Sequence, residues 1–198
     1  QYTINRLRLA NSEVPITVCT SHLEDDNPIY KLCEQLGVEC FRGSHLNVAS
    51  RYYEISKKKK FEGFVRVCAD SPMVDGLLVQ KIIQEWSPNL DLLSNKSPRT
   101  FPKGQSIEVV NRTTFIDQFE NFKTDDDLEH VTHYFHRNIK DFKFKNIACS
   151  TDYSTKTLAI DEPEDLSIFE QFVSKYGSNW IKLSFEEILE IYPHDCND

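Results

Sequence analysis

Short apolar runs alternate with helical patterns along most of this chain, and that alternation confines it to folds in which helices pack on a sheet. Residues 14–19 form a β-rich run, after which Asp26-Asn27-Pro28 supplies a cap and a proline for the first turn of a helix. Ile29, Leu32, Cys33 and Leu36 share one face of that helix, and Gly37 ends it. Strand patterns follow at 38–41, 64–69 and 90–93, with helical patterns at 46–57 and 77–86 between them. A polar stretch at 94–105, carrying Pro98, Pro102 and Gly104, leads to a strand at 107–110 and helical patterns at 113–119 and 127–135. Residues 142–149 and 157–160 are expected to pair as strands, and helices at 163–176 and 185–191 close the chain. The pattern predicts one α/β domain with a doubly wound, mostly parallel, Rossmann-like sheet. Right-handed crossovers then put ligands beyond the carboxyl ends of the strands.

Charge and cysteine usage narrow the partners. Lys and Arg number 23 against 31 Asp and Glu, a formal net charge of −8 that makes a poor clamp for nucleic acid. The one dense basic run, Lys57 to Lys60, ends a helical pattern, where cations meet the negative end of the helix dipole. Cys19, Cys33, Cys40, Cys68, Cys149 and Cys196 include no C-x-x-C pair and no zinc spacing with histidine, so reduced thiols are expected. With no signal peptide pattern and no long apolar run, the expected setting is cytoplasmic, away from the membrane. Neither a Gly-x-Gly-x-x-Gly nor a P-loop pattern occurs.

The predicted strand ends hold the chemistry. Asp70 directly follows the run Val65-Arg66-Val67-Cys68-Ala69, and Pro72 cuts the chain after it. It reads either as a Mg²⁺ ligand or as the N-cap of the next helix. Asp161 repeats the case after Thr157-Leu158-Ala159-Ile160, and its spacing to Glu164 is that of a capping box. Two strand-end carboxylates on one sheet edge can hold one metal. His130 and His133 have a spacing that allows one helix face, without a second cluster to complete a metal site. Arg99 and Lys103, in the proline-containing loop, are candidates for an anionic substrate.

Taken together, these segments resemble the cytidylyltransferases that make CMP-activated acidic sugars, in particular the branch called spore coat polysaccharide biosynthesis protein F. Cys19-Thr20-Ser21 stands where that branch has Ala-Thr-Ser, and Asp25-Asp26 where it has an acidic pair. Gly37-Val38-Glu39-Cys40-Phe41-Arg42-Gly43-Ser44 matches its Gly-Val-x-x-Phe-Arg-Gly-Ser. Arg51-Tyr52-Tyr53, Val65 to Pro72, Ser94-Asn95 with Pro98 to Pro102, Glu129 to Thr132, and Asp161 to Asp165 match further motifs in the same order. Ser50 replaces the usual Asp before the Arg-Tyr motif, and Gly104 to Val109 replaces Gly-Leu-Asp-Val-Glu-Val.

The resemblance implies a nucleotide-diphospho-sugar-transferase-like fold and transfer of a cytidylyl group from CTP to a sugar acid of the Kdo or nonulosonate kind. Pyrophosphate leaves, and the product serves surface polysaccharide synthesis. It also implies Mg²⁺ held by Asp70 and Asp161 as the catalytic pair, with Thr20, Ser21, Gly43, Ser44 and Arg51 around the nucleotide. Arg99 would meet the sugar carboxylate, with Asn95 and His130 beside the acceptor. A homodimer is the usual expectation for an oligomer of this kind. Two other readings remain open: a non-catalytic nucleotide- or sugar-binding homologue, and a nucleotidyltransferase for another base or a neutral sugar phosphate.

The family's basic, Gly-Lys-bearing phosphate loop has no match here. Tyr2, Ile4, Leu7 and Leu9 read as the apolar face of a helix that starts without an N-cap. The expectation is an upstream strand and basic glycine-containing loop, without which the sheet lacks a central strand.

Overall fold

The computed structural model describes residues 1–11 and 13–193 of the chain. In chain order the elements are α1 (Tyr2–Ala10), β1 (Thr17–Ser21), α2 (Asn27–Leu36), β2 (Glu39–Gly43), α3 (Val48–Lys58), β3 (Gly63–Arg66), α4 (Gly76–Glu85), β4 (Leu92–Ser94) and β5 (Glu108–Asn111). Then follow α5 (Arg112–Gln118), α6 (Asp125–Glu129), α7 (His133–Arg137), β6 (Phe144–Asn146), α8 (Pro163–Tyr176) and α9 (Phe185–Ile191).

The α/β alternation is as the sequence pattern predicts. β1 and β2 pair in parallel, and the remaining strands form a sheet of order β3-β5-β4-β6. Within it β4 and β6 are parallel, whereas β5 is antiparallel to both β3 and β4. The physical reason is the 95–107 connection, which contains no crossover helix and so returns the chain in the opposite sense. The expected pairing of 142–149 with 157–160 does not form. β6 adds to β4 instead, and 157–160 is held by backbone bonds to the 100–104 loop, with Leu158 N–H donating to Lys103 C=O at 2.8 Å.

Side chains alternate across the mixed sheet with period two, so each face buries its own core. Leu93 and Val109 pack with Met73, Ile82, Phe172 and Trp180 on one face. Leu92 and Val110 pack with Phe115, Phe122 and Phe135 on the other. Helices therefore cover both faces, as a doubly wound fold requires.

The first helix differs from its expected face. Ile4 is buried, but Leu9 is 56% exposed and Arg6 is only 2% exposed. Arg6 Nε donates to Val74 C=O at 2.6 Å, Nη1 to Trp180 and Ile181 C=O at 3.0 and 2.9 Å, and Nη2 to Leu183 C=O at 2.8 Å. Burial lowers its pKa to about 10, with Asp75 acting the other way. A cation is tolerated inside because each of its three nitrogens donates to at least one carbonyl.

The Lys57–Lys60 run is engaged locally, as a helix end. Lys59 pairs with Glu39, Lys58 with Glu54, and Lys57 lies over the Tyr53 ring. Cys19, Cys33, Cys40, Cys68 and Cys149 are free thiols, whereas Cys196 lies outside the described residues. Burial pushes Cys19 up to about 12 and Cys40 to about 11, which suppresses thiolate reactivity. Among the described residues no helix is long and apolar enough to cross a membrane.

One opening interrupts the architecture. Among the described residues β1 pairs only with β2 and β3 only with β5, leaving one edge of each without a strand partner. A cleft of about 490 Å³ is lined by Val18 and Cys19 of β1, Val65 and Arg66 of β3, and Ile4 and Leu7 of α1.

Candidate active site

The carboxyl ends of β1 and β2 bring Thr20, Ser21, Gly43, Ser44 and Arg51 together. Thr20 and Ser21 are buried at the end of β1, where Thr20 Oγ1 and Ser21 N–H donate to Asp26 Oδ2 at 2.7 and 2.8 Å. Hydrogen bonds from Ser21 and Thr20 hold the Asp26 carboxyl down at about 2. Asp26, the second of the acidic pair, thus buttresses the strand end. Arg51, 8% exposed, donates from Nε to Ser44 C=O at 2.8 Å and from Nη2 to His45 C=O at 3.2 Å, with Cys19 C=O 3.5 Å from Nη1. Its guanidinium therefore shapes the loop after β2. A Cβ at Gly43 would lie 2.9 Å from Arg51 Cγ, so the missing side chain at 43 makes room for that clamp.

Asp70 and Asp161 are both exposed, and neither caps a helix. The N-cap of α4 is Asp75, whose Oδ1 accepts from Leu77 and Leu78 N–H at 2.8 and 3.2 Å. The capping box expected between Asp161 and Glu164 lies one residue later. Glu162 is the N-cap of α8, and Asp165 Oδ2 accepts from the N–H groups of Asp161 and Glu162, both at 2.9 Å. The helix starts there because Pro163 suits the first helical position, which makes 162 the cap. Ile160 N–H donates to Asp70 C=O at 2.8 Å, so the backbones carrying the two carboxylates are directly joined. Asp70 Oδ1 accepts from Ser71 Oγ at 2.8 Å. No group of three or more His, Cys, Asp or Glu among the described residues could hold a metal. Two exposed carboxylates are nevertheless a donor set that suits Mg²⁺, which prefers one or two carboxylates with water and substrate phosphates.

The 94–107 loop holds the next candidates. Asn95 is fully buried, with Nδ2 donating to Gln105 C=O at 2.6 Å and Oδ1 accepting from Ile107 N–H at 2.8 Å. Both ends of its amide thus close the loop. Gly104 has φ 86°, and a Cβ there would lie 2.5 Å from the Leu158 carbonyl carbon. Lys103 is exposed. Arg99 Nη2 donates to Ser106 Oγ at 3.0 Å, whereas its Nη1 is buried with no partner among the described residues. An unmet buried donor costs about 1–3 kcal/mol, so an acceptor reaching Nη1 would be stabilised.

His130 is exposed in the turn between α6 and α7. The chain breaks there, with Val131 buried at φ 38°, so His130 and His133 do not share a helix face. His133 Nδ1 lies 3.1 Å from Asp127 Oδ1, an ordinary polar contact.

Glu108, absent from the residues singled out in the sequence, is fully buried at the start of β5. On the face toward α7, the row Phe64, Val110, Leu92 and Phe144 is apolar, and the next row on that face is Arg66, Glu108, Ser94 and Asn146. Glu108 Oε2 accepts from Arg66 Nη1 at 3.0 Å and Thr132 Oγ1 at 2.9 Å. Oε1 lies 2.6 Å from His136 Nε2 and 3.8 Å from Lys96 Nζ. Burial alone would raise the Glu108 pKa, but His136, Lys96 and Arg66 outweigh it and hold the carboxyl at about 2. The only signals in the sequence were Arg66 and Glu108 themselves, each a charge inside an apolar strand run.

A carboxylate depressed in the folded state stabilises the protein above its unfolded pKa and loses that contribution as pH falls toward the folded value. Stability should therefore drop between about pH 4.5 and pH 2, with Asp26 and Asp127, also depressed, adding to the slope. Urea melts across this window should show a shallower slope for Glu108→Gln. An unchanged slope would place the acid sensitivity elsewhere.

The α/β sheet with helices on both faces is a nucleotidyltransferase-like, Rossmann-type fold. The chain belongs to the cytidylyltransferase family, whose model matches residues 1–193. It is 33% identical over 141 residues to an uncharacterized protein of Methanocaldococcus jannaschii, covering 71% of this chain and 57% of that protein. The chain thus spans just over half the length of that curated relative. Its fold is similar to a cytidylyltransferase from Leptospira borgpetersenii, with TM-score 0.87, 23% identity, and 96% and 80% of the two chains covered. It is also similar to a CMP:2-keto-3-deoxy-manno-octonic acid synthetase complexed with CTP, with TM-score 0.62, 14% identity, and 88% and 87% covered.

Proposed function

We propose that this protein moves the cytidylyl group of CTP onto a hydroxyl of a sugar acid in the cytoplasm, giving a CMP-sugar for surface polysaccharide synthesis. The acceptor oxygen bonds to the α-phosphorus as the α–β phosphoanhydride bond breaks, the hydroxyl proton is lost, and pyrophosphate departs. The observation that carries the reading is the pair Asp70 and Asp161, joined through the Ile160–Asp70 backbone bond and free of capping duty. Asp70 and Asp161 would hold Mg²⁺, which when bound neutralises phosphate charge and orients the reacting oxygen. Thr20, Ser21 and the Gly43-Ser44 loop shaped by Arg51 would line the nucleotide. Such transfer relies on positioning and electrostatics, without a protein nucleophile.

Calorimetry with CTP, UTP and GTP, each with and without Mg²⁺, tests the reading. CTP binding that strengthens with Mg²⁺ supports it. Preference for another base would redirect it, and no nucleotide binding at all would favour a non-catalytic homologue.

Arg99 would take the acceptor carboxylate, since its buried Nη1 lacks a partner among the described residues. Arg99→Ala should raise the sugar-acid KM by about 10–100-fold, the scale of one charge-assisted hydrogen bond, and leave the CTP KM little changed. Equal effects on both substrates would move Arg99 to the phosphates or to the fold.

The cleft between β1 and β3 supports the expected additional strand. One strand laid there would pair with both open edges and join the sheets in the order β2-β1-new-β3-β5-β4-β6.

A further inference from the structure

Three separate stretches of the chain meet at one buried carboxylate. Val65-Arg66 contributes a guanidinium, Glu129 to Thr132 contributes the Thr132 hydroxyl, and Ile107-Glu108-Val109 contributes the acid itself. In the row Arg66, Glu108 and Ser94, the last two are fully buried and Arg66 is partly so, where the neighbouring row on the same face is apolar. A buried polar row is kept only where its groups satisfy one another or serve a ligand.

The network reaches outward through one turn. His136 bridges Glu108 and Ser97, with Nε2 2.6 Å from Glu108 Oε1 and Nδ1 3.1 Å from Ser97 Oγ. Lys96 and Arg99 flank Ser97 and pair across an antiparallel bridge, which sends both side chains to the same side. Lys96 Nζ lies 3.8 Å from Glu108 Oε1, and Arg99 is bonded to Ser106, two residues before Glu108. Two cations, Arg66 and Lys96, thus pair with a single carboxylate, with Arg99 held two residues away, and Lys96 is the more exposed of the pair, at 31% against 14% for Arg66. Arg66 ends β3, and the chain runs on from it through Cys68 to Asp70, four residues later.

We propose that Glu108 is a positioning residue that sets Lys96 and Arg99 side by side as a cationic subsite for the anionic group of the acceptor. This rests on the sugar-acid reading above. Glu108 neutralises Arg66, which is less exposed than Lys96, and holds the Ser97 turn through His136. The remaining positive charge, on Lys96 and Arg99, then faces the acceptor. A mobile Lys96 would discriminate poorly between an acid and its neutral analogue, because a carboxylate is recognised by donors already in place.

The test uses the full-length enzyme with 2-keto-3-deoxy-manno-octonic acid and N-acetylneuraminic acid, each beside its carboxyl-reduced alcohol. Wild type should prefer an acid over its alcohol by at least tenfold in kcat/KM. Glu108→Gln should reduce that preference at least fivefold through the acceptor KM, with the CTP KM changed less than threefold. Lys96→Met should do the same, and the double variant should be no worse than the more affected single one, because Glu108 acts through Lys96. If Glu108→Gln does not fold, Lys96→Met and Ser97→Ala carry the test, both lowering the preference. Acid preference retained in folded Glu108→Gln, or in both substitutes, overturns the positioning role while the sugar-acid reading stands. Equal use of acid and alcohol by wild type, or no transfer to either acid, overturns the sugar-acid reading and this subsite with it.

Discussion

Asp70→Asn should reduce Mg²⁺-dependent cytidylyl transfer by on the order of 10²–10⁴-fold, the consequence of losing several kcal/mol of charge stabilisation at the phosphate. The protein should still melt cooperatively at nearly the wild-type temperature, because Asp70 is exposed and Asp75 caps α4. Asp161→Asn should behave alike, with little stability loss, since the start of α8 is held by Glu162 and Asp165. Asp165→Ala is the matched control. It removes the acceptor for two backbone N–H groups and should cost about 1 kcal/mol while leaving the carboxylate pair intact. Transfer by Asp70→Asn within threefold of wild type would remove both carboxylates from the metal site.

Arg6→Met should destabilise the protein by about 3–5 kcal/mol, the range for removing one partner of a buried charged network. The substitution keeps an unbranched apolar stem but strands the carbonyls of Val74, Trp180, Ile181 and Leu183, and it removes the cation from over the Trp180 ring. These bonds tie α1 to the segment before α4 and to the 180–183 turn before α9, so the loss should appear as a shift of the whole unfolding transition. Arg8, exposed two residues on, bonds the Leu36 and Gly37 carbonyls, and Arg8→Met should change stability by less than about 1 kcal/mol. Denaturant melts compare the two, and equal effects would show that the Arg6 network adds nothing beyond surface contacts.

The alternation of strands and helices was readable because it depends on local periodicity and on punctuation such as Gly37, which ends α2 in the left-handed conformation at φ 59°. The same local logic misjudged Asp161. Its spacing to Glu164 suits a capping box, but Pro163 shifts the helix start and moves the box to Glu162 and Asp165. Likewise 157–160 looks like a strand, yet its partners are the 100–104 loop and Asp70 C=O, groups far away in the chain.

The local pattern placed Thr20, Ser21 and Gly43 at the ends of β1 and β2, whereas β3 stops at Arg66, four residues before Asp70, and the stretch before Asp161 is not a strand. Tertiary packing decided the rest. Whether Arg6 lies in water or among four carbonyls depends on residues as distant as Leu183, and whether Asn95 meets a ligand or closes its own loop depends on Gln105 and Ile107. Glu108 is the sharpest case. Its neighbours Arg66, Lys96, Thr132 and His136 come from β3, from the stretch after β4 and from in and around α7. Periodicity reports which face a side chain takes, but the charges it meets there are set by strand register and helix packing, which no local stretch of sequence encodes.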